Sequence, residues 1–301
     1  GYLIGTLMTC GLIYPVVASW AWGGYYGGQG WLAELGFIDF AGSSVVHSVG
    51  GWLALAGIIV LGPRIGRFAP DGTPRLIAGH NLTLVTLGGF ILWLAWFGFN
   101  AGSALGANGI AGLALINTQV ATGAALIGWL LVEKIRDGHA TSLGAASGAV
   151  AGLVAITPAC AFVAPWAAVV LGLIAGIVCA MAVGLKYKFG FDDSLDVVGV
   201  HLVGGIWGCL SIGLFATKGV NSLGGNGLFN GGGLDLLKTQ AFGAFFVLAY
   251  SFLVTLIIGF VINKTIGFRV TQEAEVNGID LVEHRETAYE MFSSSRGGIS
   301  A

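Results

Sequence analysis

Charged residues are scarce in this chain: Asp, Glu, Lys and Arg together make up 9% of its 301 residues. Soluble domains carry about a quarter, so a surface that faces water on all sides is excluded. The net charge of −2 argues against nucleic acid as a partner. Cysteine is also rare, and its spacing fits neither a zinc site nor a disulfide framework, so we expect buried packing. The four cysteines are Cys10, Cys160, Cys179 and Cys209.

Apolar residues are abundant instead, at 55% of the sequence with a mean hydropathy of +0.85. About eight apolar segments approach the length of about 17–25 residues that a membrane-spanning helix needs. We therefore predict an all-α, polytopic transmembrane helical bundle over residues 1–267, followed by a polar tail at 268–301. The predicted spans are residues 1–22, 39–61, 82–104, 115–133, 142–160, 164–187, 196–216 and 239–266.

Lysine and arginine are distributed unevenly between the two sides that these spans define. Of the 13 basic residues, all but Lys218 and Lys238 lie on the side of the tail. Because cytoplasmic loops carry the excess of positive charge, the tail is predicted to be cytoplasmic. The chain starts at Gly1 without a basic flank or a cleavage site, so we expect a truncated chain that begins inside a helix, not a signal peptide.

Two stretches of the sequence echo each other. His47 begins the sequence HSVGGW and His201 begins HLVGGIW, and each follows an aspartate near a predicted helix start, Asp39 and Asp196. The predicted topology sends the two segments through the membrane in opposite directions. Such inverted repeats are typical of transporters, with the substrate site near the midplane. At about 1.5 Å per residue, both histidines approach the middle of a hydrocarbon core about 30 Å thick.

Ionisable residues at this depth are costly and usually line a pathway. His47 and His201 are therefore candidate pore residues. One alternative is a pair of neutral histidines that serve packing alone. Haem ligation is a second alternative, although multi-haem bundles need several such pairs, and a protease is disfavoured because the spans hold no buried aspartate pair. We predict no cofactor, no metal site and no enzymatic activity.

Aromatic and hydroxyl residues cluster at the predicted outer side. Trp22 ends the first span, and Ser103 ends the third span shortly after Phe99. Indole faces and hydroxyl oxygens suit a small cation, through cation–π attraction and hydrogen-bond acceptance. The alternative is the ordinary aromatic belt of a membrane interface.

Together with further segments, these motifs make the chain resemble the ammonium transporter (Amt/Mep/Rh) family over nearly its whole length. The resemblance implies a homotrimer in the plasma membrane whose protomers each hold a narrow hydrophobic pore for ammonium or ammonia. The matching segments are WGG at 22–24, DFAGSSVVHSVGG at 39–51, GHNL at 79–82, WFGFNAGS at 96–103, GAASGAVAGLVAITPAC at 144–160, DDSLDVVGVHLVGGIWG at 192–208 and EVNGIDLVEHRETAYE at 275–290.

The resemblance also implies roles for single residues. Trp22 and Ser103 resemble the external ammonium site of the family, and Phe99 resembles a phenylalanine that closes the pore entrance. His47 and His201 resemble the family's twin histidines, which share a hydrogen bond inside the pore. The family normally has eleven spans, so the resemblance implies that three are absent here and that the first repeat is truncated.

Other matched positions concern support and regulation. Asp39 resembles the aspartate that supports the recruitment site, which is compatible with an N-cap of the second span. Gly278, Asp280 and His284 match tail positions where the resemblance implies contact with a neighbouring protomer and docking of a PII-family regulatory protein. Arg285 stands where the family usually has glycine.

The implied activity can be understood from solvation. An intact cation loses its hydration shell in a dry pore, which is expensive. Loss of a proton at the entrance lets neutral ammonia cross, while the histidines offer a route for that proton, since imidazole can donate and accept. Two alternatives stay open: a neutral gas channel of the Rh type, which WGG and NAGS disfavour, and an ammonium sensor of the same fold.

Overall fold

A computed structural model of the chain describes residues 1–23 and 28–287. Within these ranges the regular elements are helices, apart from isolated bridges at Phe68–Pro74 and Val163–Ala216, so the predicted all-α bundle is confirmed. The helices are α1 (Tyr2–Trp22), α2 (Trp31–Glu34), α3 (Ser43–Leu61), α4 (Leu82–Gly102), α5 (Gly109–Asp137), α6 (Ser142–Ile156), α7 (Pro165–Phe189), α8 (Val198–Phe215), α9 (Asp235–Thr265) and α10 (Gln272–Asn277).

Among the described residues, seven helices are long and apolar enough to cross a membrane, judged by length and composition: α1, α3, α4, α5, α7, α8 and α9. The remaining predicted span, residues 142–160, forms α6, which has 15 residues and ends at Ile156. The chain continues as turns through residue 162. A helix of this length covers about 22 Å, and α6 is buried along most of its length between its neighbours.

The helix boundaries follow local sequence signals. Asn81, Asn108 and Thr141 each accept the backbone N–H of the residue three positions later, which caps the starts of α4, α5 and α6. α5 ends at Asp137 and is followed by Gly138, whose backbone is left-handed. α7 begins with Pro165, whose missing N–H is no loss in the first turn of a helix. The connectors therefore lie close to where the sequence predicts them.

The spanning helices alternate in direction, which gives the bundle two ends. We call the end that holds Trp22 and the start of α3 the Trp22 end. The opposite end, called the tail end, holds the connector 62–81 and the chain after α9. At the tail end, Arg269 donates a hydrogen bond to the carbonyl oxygen of Leu61, 3.1 Å away, so the tail contacts the end of α3.

Small residues form the core between α5, α6 and α7. Helices that meet through small side chains approach closely, which is how helices associate where lipid removes the hydrophobic driving force. Large apolar residues instead cover the outer faces of α1 and α4. The fully buried small residues include Ala121, Ala125, Ala151, Ala155 and Ala175, and the exposed large ones include Leu3, Leu7, Phe90 and Leu94.

The prediction that all four cysteines serve buried packing is wrong for one of them. Cys160, Cys179 and Cys209 are buried, but Cys10 is exposed. The reason is the position of α1, which packs little against the rest of the described chain. Of its most apolar 18 residues, 11% are buried. An apolar neighbourhood in the sequence therefore does not distinguish a core cysteine from one on an outer helix face.

An ion-pair cluster joins the tail-end connector to the residues that precede α8. Arg64 donates three hydrogen bonds to the Asp192 carboxylate, of 2.7 Å from Nε, 2.8 Å from Nη2 and 3.0 Å from its backbone N–H. Arg67 adds a second guanidinium at 3.4 Å, and the Asp192 side chain is only 2% exposed. The hydrogen bonds from Arg64 hold the pKa of Asp192 below its usual range.

The tail is tied to the same connector. Glu275, in α10, accepts a hydrogen bond of 2.6 Å from the backbone N–H of Ile65 and pairs with Arg269 at 2.8 Å. The Ile65 N–H, more than the Arg269 guanidinium, keeps the pKa of Glu275 below its usual range.

α9 ends at Thr265, two residues before the predicted boundary of the membrane domain, and the division into domains stays a prediction.

Candidate functional site

The structure brings His47 and His201 together. Their ring centroids lie 5.6 Å apart with the planes tilted by 49°, while His47 is only 6% exposed. Both residues lie in short π-helical segments at the starts of their helices, Ser43–Ser48 in α3 and Val198–Leu202 in α8. Such widened turns inside helices are frequent at functional sites. A shared hydrogen bond between the two rings stays a prediction.

The echoed glycines explain how the two helices come so close. A Cβ atom on Gly51 would lie 2.5 Å from Cβ of Leu202, and one on Gly205 would lie 2.5 Å from Oγ of Ser48. Each glycine stands four residues after its histidine, and each faces the residue that follows the other histidine. The contact is therefore reciprocal, as expected where a pseudo-two-fold axis relates two oppositely directed repeats.

An aspartate caps the helix in each repeat: Asp39 in the first, as expected from the sequence, and Asp193 in the second. The Asp39 carboxylate accepts four backbone N–H bonds of 2.8–3.0 Å, from Gly42 to Val45. Asp193 accepts two, from Val197 at 3.0 Å and Val198 at 2.7 Å. Asp196 instead pairs with Lys186 at 2.5 Å. The carboxylates of Asp39 and Asp193 both accept from the backbone N–H groups four and five residues later, so the two caps correspond.

Aromatic rings cover His47 on the side of α4. Trp96 stacks on the imidazole with a centroid distance of 5.0 Å, and Phe99 stacks at 5.7 Å, both with interplanar angles of 27°. The Trp96 indole N–H donates to the hydroxyl of Thr157, which also lies 3.3 Å from Nε2 of His47. The predicted gate residue Phe99 is thus in direct contact with one member of the histidine pair.

The predicted cation-site residues lie near the Trp22 end. The indole N–H of Trp22 donates a 2.7 Å hydrogen bond to the backbone carbonyl of Asp39, so the tryptophan is fixed against the cap of α3. Ser103 follows α4, and its hydroxyl donates to the carbonyl of Phe99 at 2.8 Å. Because its proton is used in this bond, the Ser103 oxygen keeps its lone pairs as acceptors.

The tail residues lie at the other end of the bundle, away from the histidines. Gly278 has φ +103°, and a Cβ atom there would lie 2.7 Å from Oδ1 of Asp280. His284 is exposed and ends a short π-helical turn. Arg285 follows in the left-handed region at φ +57°, where glycine is favoured. Gly24 of the WGG motif and residues 288–301 of the predicted tail lie outside the described residues.

Sequence reasoning missed Thr157 and Asp193 as site residues. A signal for Asp193 exists, since it stands eight residues before His201 just as Asp39 stands eight before His47. No local pattern marks Thr157, because its neighbours Trp96 and His47 are 61 and 110 residues away in the chain. Only the packing of α6 against α3 and α4 brings these residues together.

The fold and the site define a polytopic membrane protein in which two oppositely directed helices meet at a buried histidine pair. A profile of the ammonium transporter family matches residues 1–289. The ammonium transporter of Mycobacterium tuberculosis (strain ATCC 25618 / H37Rv) is 50% identical over 296 residues, covering 95% of this chain and 61% of that protein. That of Bacillus subtilis (strain 168) is 45% identical, covering 96% and 69%.

Solved structures give the same result. A protein named Sensor Amt Protein matches with a TM-score of 0.87 and 38% identity, covering 93% of this chain and 69% of its own. Mep2 of Candida albicans matches with a TM-score of 0.81 and 33% identity, covering 90% and 60%. The chain belongs to the ammonium transporter family. It spans about three-fifths of the length of the Mycobacterium relative, at 61%.

Proposed function

We propose that the protein transports ammonium across a membrane by passing it as neutral ammonia and a separate proton past His47 and His201. The observation that carries the proposal is the contact between buried His47 and partly buried His201 at the crossing of two oppositely directed repeats. Intramembrane ionisable groups mark ion and proton paths. The membership of the chain in a family of named transporters supports the same activity.

The chemistry follows from the surroundings of His47. Trp96, Phe99 and the adjoining small residues provide an apolar path on which a hydrated cation would lose its water shell. If one N–H bond of ammonium breaks and a bond from that proton to an imidazole nitrogen forms, the species that crosses is uncharged ammonia. Imidazole suits this transfer because its ordinary pKa lies near physiological pH.

The decisive experiment is uptake of labelled methylammonium by the full-length protein in cells that lack their own ammonium transporters. His47→Ala and His201→Ala are each expected to abolish selective uptake, because each leaves a buried imidazole without its partner. His139→Ala is the matched control, since that histidine is exposed in the connector after α5. Normal rate and normal selectivity over potassium in both pore variants would refute the proposed role of the pair.

The proposal includes recruitment of the cation at the Trp22 end. Trp22 supplies an indole face, Ser103 supplies lone pairs, and Asp39 supports the site through its backbone carbonyl, which accepts from the Trp22 indole. Trp22→Leu should raise the ammonium concentration needed for half-maximal uptake, or remove saturation, at unchanged amounts of protein in the membrane. An unaltered concentration dependence would show that no cation site exists there.

A sensor is the second candidate function, favoured by the name Sensor Amt Protein of one structural relative. The same fold would then bind ammonium at the Trp22 end and signal through the chain after α9. The uptake experiment separates the two: a sensor binds ammonium, with a Trp22-dependent affinity, but gives no uptake above that of cells without the protein. A neutral gas channel of the Rh type would show uptake without saturation.

The proposed setting is a homotrimer in the cell membrane, with the tail end facing the cytoplasm. The concentration of basic residues at the tail end supports this orientation. Gly278, Asp280 and His284 are proposed to contact a neighbouring protomer and to form the docking surface of a PII-family regulator. Labelling of single cysteines introduced at Lys218 and at Glu273 with a membrane-impermeant reagent tests the orientation: the first should react from outside intact cells and the second should not.

A further inference from the structure

One hydroxyl group joins three elements beside His47. Thr157 closes α6 and is fully buried. Its Oγ1 lies 2.6 Å from the carbonyl oxygen of Leu153, 2.9 Å from Nε1 of Trp96 and 3.3 Å from Nε2 of His47. Three hydrogen-bonding atoms therefore surround an oxygen that has one proton and two lone pairs.

The roles in this cluster are fixed by counting protons. The Leu153 carbonyl can only accept, so it takes the single hydroxyl proton of Thr157. The Trp96 indole can only donate, so its N–H occupies one lone pair. The remaining lone pair faces Nε2 of His47, and two lone pairs do not attract. Nε2 of His47 must therefore carry a proton to make this contact.

We propose that Thr157 is a positioning residue that holds neutral His47 in the tautomer with its proton on Nε2. Nδ1 is then the only basic atom of that ring. The proton that passes between the two histidines consequently belongs to His201 in the resting pair, with His47 as the acceptor. This inference rests on the proposed function only for its role in transport, since the tautomer itself is a property of the ground state.

The consequence is a polarised pair. A proton that leaves ammonium bonds to the free nitrogen of His201, while the proton that His201 shares with His47 passes to Nδ1 of His47. One N–H bond of ammonium breaks, the products are neutral ammonia and an imidazolium ion at His47, and the bond from Nε2 to Thr157 is kept. Return of the proton breaks the same Nδ1–H bond. If His47 were free to exchange tautomers, it would present an N–H to His201 for part of the time, and an N–H group cannot accept a proton.

The test is ¹⁵N NMR of the full-length protein with labelled histidine, in lipid membranes at a pH where His47 is neutral. The His47 signals are identified by their loss in His47→Gln. The wild-type ring should show a one-bond proton coupling at Nε2 and none at Nδ1. In Thr157→Val, which keeps the shape but removes the hydroxyl, the Nε2 proton signal of His47 should fall to about half or less.

Two further variants control for packing. Thr157→Ser keeps the hydroxyl and should restore the wild-type signals. Thr122→Val is the matched control for Thr157→Val, because Thr122 is also fully buried and its hydroxyl also donates to the carbonyl four residues earlier, at 2.6 Å. The His47 signals of Thr122→Val should equal those of the wild type. A proton on Nδ1 of His47 in the wild type, or unchanged signals in Thr157→Val, overturns the proposal. Failure of uptake with the expected tautomer would refute the transport function alone.

Discussion

The starts of α3 and α8 share the same arrangement of residues but lie in different surroundings. In both, an aspartate caps a π-helical segment, a histidine follows eight residues later, and a glycine four residues after the histidine meets the other helix. The α3 copy lies at the Trp22 end, where Trp22 and the aromatic rings of α4 cover it. The α8 copy lies at the tail end, among charged residues.

The difference is largest around the two histidines. His47 is stacked against Trp96 and Phe99 and contacts Thr157. His201 is half-buried, and among the described residues its ring contacts that of His47. The repeated backbone therefore sets where the rings meet, while the elements around it give each ring a separate chemical role. A symmetric framework can in this way support a directional proton transfer.

The largest expected effect comes from breaking the reciprocal contact itself. A Cβ atom on Gly51 would lie 2.6 Å from the backbone nitrogen of Leu202, which cannot move without α8. Gly51→Ala should therefore lower the free energy of unfolding by about 1–3 kcal/mol and abolish uptake. Gly205→Ala should cost less, because its nearest neighbour is the Ser48 hydroxyl, which can rotate, and the nearest backbone atom, the Ser43 carbonyl oxygen, is farther away at 2.9 Å.

The control for this prediction is Gly50, which directly precedes Gly51 in α3. A Cβ atom on Gly50 would meet no neighbouring element within 4 Å, so Gly50→Ala should leave thermal unfolding in detergent and uptake unchanged. Equal losses in Gly50→Ala and Gly51→Ala would mean that helix flexibility, and not the close approach, is what α3 requires.

The second prediction compares the two capping aspartates. In Asp39→Asn one oxygen is replaced by an NH₂ group, so two of the four backbone N–H groups lose their acceptor. Asp193→Asn loses only one. At about 1–3 kcal/mol for each buried group left unsatisfied, Asp39→Asn should destabilise the protein about twice as much.

Thermal unfolding of the purified variants measures the difference. Asp39→Glu and Asp193→Glu keep the charge and show whether charge or geometry matters more. A larger loss in Asp193→Asn than in Asp39→Asn would contradict the ranking, and it would indicate that the charged surroundings of α8 contribute more than its backbone caps.

The helical bundle and the meeting of the two histidines could be predicted from sequence, because each depends on a local or repeated pattern. Hydrophobic runs mark helices, and the echo around His47 and His201 marks the repeats. The cap of α8 could not be predicted, because the sequence offers three aspartates within five residues and only the backbone path selects Asp193.

The unpredicted part of the site depends on contacts between distant elements. Thr157 closes α6, which as a short buried helix was the least typical predicted span, and its contacts join residues of three different helices. The exposure of Cys10 depends in the same way on where α1 lies relative to the other helices. Periodicity reports which face of a helix is apolar, but not which side chain of another helix that face will meet.

The third prediction tests whether the tail influences transport from the tail end of the bundle, where α8 begins. Gly278→Asp forces a side chain into a conformation at φ +103° and toward the Asp280 carboxylate, a strain of about 1–3 kcal/mol. We expect reduced uptake with unchanged amounts of trimer in the membrane. Asn277→Asp adds the same charge at an exposed helix position and should have no effect. Normal uptake by Gly278→Asp would show that the tail does not couple to transport.

The last and smallest prediction concerns acid sensitivity at the start of α8. Arg64 holds the pKa of Asp192 below its ordinary value of 3.8. A carboxylate with a lowered pKa in the folded state stabilises the protein above its unfolded pKa, and this contribution is lost as the pH falls through the folded pKa. Asp192→Asn should therefore unfold at a lower temperature than wild type at pH 7, by a constant margin down to about pH 5. Below about pH 4 the margin should shrink, because the wild-type carboxylate also loses its charge.

Asp235→Asn is the control, since that carboxylate is 94% exposed at the opposite end, and its unfolding temperature should follow wild type throughout. A margin for Asp192→Asn that stays constant into acid would mean that Asp192 stabilises α8 by its shape and hydrogen bonds and not by its charge, and the electrostatic difference between the two helix starts would then disappear.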